Sequence, residues 1–145
     1  MRLNIVWLLL LFLVISCKQD HKNKDDQIVE THESTEEMVM LDGGKLWKTN
    51  IETSTGINTM IHRMNSFSKK ENLEAFHILK DSLESDFTEI FQKCTMKGEA
   101  HNQLHNYLKP MVDLFEGLGS QQIDSCKISF LKLDKHLESY KNYFE

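Results

Sequence analysis

The chain has 145 residues and a formal net charge of −5, with 22 acidic against 17 basic residues. An acidic surface has no electrostatic attraction for a phosphate backbone, which excludes nucleic acid as a general partner. No Walker, Rossmann or zinc-ribbon pattern occurs, and no nucleophile–base pair or carboxylate dyad stands out, so the chain does not read as an enzyme.

Residues 1–16 read as a targeting segment. Arg2 supplies a short positive start, and Ile5 to Val14 is an almost unbroken apolar run, too short to span a membrane comfortably. The run ends in Leu13-Val14-Ile15-Ser16-Cys17. This resembles the lipobox of bacterial lipoproteins: an aliphatic residue, then a small residue just before a cysteine. The resemblance implies cleavage before Cys17, a diacylglycerol on its sulfur and acylation of the new amino terminus. Two or more acyl chains make a stable anchor, at about 0.8 kcal/mol per buried CH₂. Cys17 is then neither a metal ligand nor a disulfide partner. Lys18 stands where an Asp would resemble an inner-membrane retention signal. The expected location is therefore the cell envelope at the outer membrane, with the periplasmic and surface faces both open. In architecture the chain resembles small helical envelope lipoproteins.

Residues 17–37 are the lipidated cysteine and a polar tether, with Ile28 and Val29 as its apolar exceptions. Such a composition buries too little surface to offset ordering entropy, so a flexible linker is expected. His21 and His32 fall here and read as solvated. Residues 38–145 are enough for one domain with one core.

Asp42-Gly43-Gly44, flanked by apolar residues, is a tight-turn signal, and a short β-hairpin before the first helix fits it. Helix one is expected from Asn50 to Phe67, with Ile57, Met60, Ile61 and Met64 on one buried face. Ser68-Lys69-Lys70-Glu71 has the capping-box pattern that would open helix two. Leu73, Phe76, Leu79, Leu83, Phe87, Ile90, Phe91 and Cys94 form its stripe. Helix three is expected from Glu99 to Leu118, with Leu104, Leu108, Met111, Val112, Phe115 and Leu118 inward. Its Pro110 should bend it and leave the Asn106 carbonyl free. Helix four is expected from Gln121 to Tyr143, carrying Ile123, Cys126, Phe130, Leu133, Leu137 and Tyr140. Four amphipathic helices with short connections predict an all-α, antiparallel up-down four-helix bundle.

One run concentrates metal-binding chemistry: Cys94, Met96, His101 and His105 straddle the expected turn between helices two and three. His101 and His105 are one helical turn apart and project from one face. The four side chains offer a thiolate, a thioether and two imidazoles, a mixture that suits Cu(I); Zn²⁺ is less favoured because it rarely uses Met. Cys94 is expected as the thiolate anchor, Met96 as the soft discriminating donor, and His101 and His105 as imidazole donors. Glu99 and Trp47 are expected beside the ligands. Tyr140 and Tyr143 could join Trp47 as a lid, and Met38 and Met40 could serve as auxiliary thioethers. Each of these also has a plain packing role. Asn102 stands where a zincin helix has Glu, which argues against a metalloprotease. Cys94 and Cys126 fall at opposite ends of such a bundle, so no disulfide between them is expected. The leading expectation is a non-enzymatic, lipid-anchored binder of a soft or borderline metal ion. The alternatives are a metal-free interaction lipoprotein with an envelope protein partner and, less favoured, a non-covalent haem binder using a His/Met pair.

Overall fold

The computed structural model describes residues 38–145. The targeting segment, Cys17 and the tether lie outside the described residues. Four helices follow in chain order: α1 (Ile51–Ser66), α2 (Leu73–Lys93), α3 (Gly98–Leu118) and α4 (Ile123–Glu138). They form an all-α four-helix bundle whose short connections make neighbours antiparallel. No helix among the described residues is long and apolar enough to cross a membrane.

The hydrophobic stripes explain the packing. In α1, Thr53, Ile57, Met60 and Met64 turn inward at three- and four-residue intervals. In α2, Phe76, Leu79, Leu83, Asp86 and Ile90 do the same. Asp86 is a carboxylate within an apolar stripe. It is met by Arg63 of α1, whose Nε donates to Oδ2 and whose second guanidinium nitrogen donates to Oδ1 at 3.1 Å. Two aromatic groups fill the core. Phe67, Phe76 and Phe130 meet with ring centroids 4.9–6.1 Å apart. Tyr107, Tyr140 and Phe144 meet at 5.0–5.7 Å nearer the other end.

Several local expectations are corrected. Helix α2 is capped by Asn72, whose side chain accepts from the Ala75 amide at 2.9 Å. The Ser68–Glu71 box does not open the helix, because both residues lie in the preceding turn. Glu71 instead pairs with Lys127 of α4 at 2.6 Å. Phe91 and Val112, expected inward, are exposed. Helix α4 stops at Glu138, and Ser139–Asn142 tighten into a 3₁₀ turn. The chain then runs parallel to the segment before α1. The Trp47 amide donates to the Tyr143 carbonyl at 2.7 Å, the Glu145 amide to the Trp47 carbonyl at 2.9 Å, and the Thr49 amide to the Glu145 carbonyl at 2.9 Å. The expected hairpin is reduced to one antiparallel pair, Asp42 with Lys45. Gly43 and Gly44 turn it with φ of 55° and 90°, a conformation that side chains resist.

Asn50 ties the start of α1 to the end of α2, its side-chain amide donating to the Lys93 carbonyl at 3.2 Å. That end of the bundle also carries the α2–α3 turn. Cys126 lies at the opposite end, buried, with its thiol donating to the Leu118 carbonyl at 3.2 Å and the Ser120 carbonyl at 3.3 Å. Burial pushes that thiol above its usual pKa. Cys94 and Cys126 are both free.

Candidate functional site

Helix α2 ends at Lys93, and Cys94 leaves it with extended backbone, φ −67° and ψ 122°. Four residues later Gly98 reverses the chain with φ 65° and begins α3. His101 occupies the first turn of α3, and His105 stands one turn further on.

Three of the four candidate ligands are brought together. The Cys94 sulfur lies 3.6 Å from His101 Nδ1. The two imidazole Nε2 atoms, of His101 and His105, lie 3.0 Å apart. Their rings meet nearly edge to face, with centroids 4.4 Å apart and planes at 75°. Exposed Phe91 leans on the outer ring, 5.4 Å from His105. The sulfur and the second imidazole therefore sit on opposite edges of the His101 ring. One proton arrangement has the thiol donating to Nδ1 and His101 Nε2–H donating to His105. The other has His105 donating to His101 and His101 donating to sulfur. Burial, helped by the neighbouring His101, holds His105 below the usual histidine pKa. A neutral His105 keeps a lone pair available near neutral pH.

The fourth candidate turns elsewhere: Met96 is half-buried and packs against the hydrophobic core. Glu99 is engaged within α3, accepting from Gln103 at 2.7 Å and from Asn102 at 3.2 Å. Those two bonds hold its carboxyl below the usual range. Trp47 is half-buried against the core, and its indole N–H donates to the Met40 carbonyl at 2.6 Å. Tyr140 is buried and donates to Thr49 Oγ1 at 3.1 Å, and Tyr143 packs at the core's edge. Among the described residues, no three His, Cys, Asp or Glu side chains converge as a ready cage for a metal.

A groove of about 810 Å³ runs beside this cluster, lined by Met38, Met40, Glu99, Asn102, Gln103 and His105, among others. The Met40 amide donates to Gln103 Oε1 at 2.7 Å, strapping the segment before α1 across α3. Sequence reasoning missed Gln103. A buried glutamine on an otherwise apolar face was the available signal. Among the described residues, the remaining histidines take no part in this cluster. His62 is exposed. His77 contacts the Ser120 carbonyl at 3.1 Å and His136 the Tyr107 carbonyl at 2.7 Å.

No protein-family model matches the chain, and no curated protein or solved structure matches it.

Proposed function

We propose that the chain is a lipid-anchored envelope protein that binds a soft or borderline metal ion, Cu(I) ahead of Zn²⁺, beside the α2–α3 turn. The observation that carries this reading is the 3.0 Å approach of His101 Nε2 to His105 Nε2. Two imidazole nitrogens on one tetrahedral ion at about 2.0–2.1 Å stand only a few tenths of an ångström further apart. Little movement converts the pair into a two-nitrogen seat. Cys94, on the far edge of His101, orients that ring, as outer hydrogen-bond partners of metal-bound histidine do. A thiolate bond to the same ion would require the His101 ring to turn. Met96 would have to leave its packing against the core to take part.

The deciding experiment is an anaerobic Cu(I) titration of the full lipidated chain in detergent against a chromogenic chelator. One equivalent is expected, abolished in His101→Ala/His105→Ala. Cys94→Ser should weaken it by about ten- to a hundredfold, the usual cost of losing an orienting partner. A wild-type chain that does not compete with the chelator would overturn the reading.

A second reading, a metal-free bundle that docks on an envelope protein, is favoured by one observation. Ile128 and Leu131 sit one turn apart on α4 and are both exposed. The same titration separates the two readings, because this one expects no competition.

A further inference from the structure

Met38 and Met40 stand out among the methionines of the folded region. Met60, Met64 and Met111 are buried in the core, whereas Met38 is 81 % and Met40 66 % exposed. Alternation along an extended segment puts residues two apart on the same side. Here both methionines line the groove beside α3, while Val39 between them also packs against the core.

The position of this strap is held by its own backbone. The Met40 amide donates to Gln103 at 2.7 Å, and the Met40 carbonyl accepts from Trp47 at 2.6 Å. Gln103 is itself buried and donates to Glu99 at 2.7 Å. Both polar groups of one residue are thus fixed, and its side chain is left free over a groove that His105 also lines. A thioether on three rotatable bonds adapts readily to such a space. It is also a soft donor, of the kind that prefers Cu(I) and contributes little to Zn²⁺.

We propose that Met38 and Met40 complete the site from the strap, adding soft sulfur donors to the nitrogen pair of His101 and His105 and giving it preference for Cu(I). This rests on the metal-binding reading above. In this arrangement the sulfur that the α2–α3 turn withholds, with Met96 packed against the core and Cys94 behind His101, comes from the segment before α1.

The test compares the full chain with Met38→Leu/Met40→Leu, two exposed positions where leucine keeps size and apolarity and leaves the fold intact by circular dichroism. Chelator competition is run with Cu(I) and, separately, with Zn²⁺. The expected result is a Cu(I) affinity lower by about tenfold or more, with Zn²⁺ affinity unchanged. Gln103→Leu, which releases the strap, should lower Cu(I) affinity in the same direction. Equal losses for both metals would overturn the proposal, since they would mark general packing and no soft donation. Unchanged Cu(I) affinity in the double variant, with binding still lost in His101→Ala/His105→Ala, would also overturn it while leaving the metal-binding reading standing. No competition by the wild-type chain would remove both.

Discussion

Tyr107 and His136 hold each other across the α3–α4 interface by reciprocal bonds. The Tyr107 hydroxyl donates to the His136 carbonyl at 2.9 Å, and His136 Nε2 donates to the Tyr107 carbonyl at 2.7 Å. The rings stack with centroids 4.5 Å apart. Pro110 lies three residues beyond Tyr107, inside α3. The Tyr107 carbonyl, next in the chain to that of Asn106, receives the imidazole. Burial raises the Tyr107 hydroxyl pKa well beyond the usual tyrosine range.

That pair predicts an acid-sensitive fold. Burial holds His136 below the ordinary histidine pKa, with the Tyr107 carbonyl partly opposing the shift. The unfolded chain, with an ordinary value of about 6.5, therefore takes up this proton first. The stabilisation is full above that value and declines as pH falls from it toward the depressed one. His136→Phe keeps a ring against Tyr107 but has no proton to gain. It should lose about 1 kcal/mol at neutral pH through the missing hydrogen bond. Urea midpoints measured from pH 7.5 to 5 (roughly the span over which a histidine titrates) should fall less steeply for the variant than for the wild type. Parallel slopes would show that His136 does not contribute.

Removing Arg63 strands a buried carboxylate. Asp86 has a side chain only 10 % exposed, while the Arg63 side chain is 41 % exposed. The paired guanidinium is held more firmly protonated by its bond to Asp86. Breaking a fully buried pair costs several kcal/mol; with one partner half in water, Arg63→Met should cost about 2 kcal/mol. Arg63→Met/Asp86→Leu should recover most of that loss, because apolar replacement of both partners is close to neutral. Urea denaturation of the single and double variants checks both values.

Gly117 sets how closely α3 and α4 approach. A Cβ there would lie 2.0 Å from Ser129 Oγ and 2.9 Å from Ser129 Cβ. Rotating the hydroxyl away clears the first clash but not the second, so the helices must separate. Gly117→Ala should destabilise by about 1–3 kcal/mol despite the better helix propensity of alanine. Gly117→Ala/Ser129→Gly should regain part of the loss. Thermal midpoints of the two variants test this; a Gly117→Ala midpoint at or above wild type would refute the close approach.

The lipobox resemblance predicts a change of compartment on replacing one atom. Cys17→Ala removes the sulfur that would carry the diacylglycerol. The wild-type chain should partition into detergent and take up labelled fatty acid, and the variant should do neither. Equal labelling of both chains would reject the anchor.

The helices were legible because their stripes are local. Ile57, Met60 and Met64, or Phe76, Leu79 and Leu83, announce a buried face within a few turns. The stripe edges were harder to place. On α3 the inward arc rotates toward Tyr107 and Gln103, so Val112 falls outside it. On α2, Ile90 takes the core and its neighbour Phe91 goes outward to His105. The proximity of His101 and His105 followed from helical spacing. Which edge of His101 would receive Cys94 depended on side-chain rotamers that no spacing encodes. The strap on Gln103 and the pairing of Trp47 with Phe144 join residues far apart in sequence, so neither leaves a local pattern.

The parallel ladder between residues 47–49 and 143–145 also has a mechanical side. If Cys17 fixes the chain to a bilayer, any pull meets the Met40–Gln103 strap first and then reaches Trp47. The load does not fall on the first turn of α1 alone. It passes through the ladder to the segment that follows α4, so the first and last helices resist together. A domain hung from such a thread would be gripped at both of its outer helices, and a pull would have to break the ladder before it could peel α1 away.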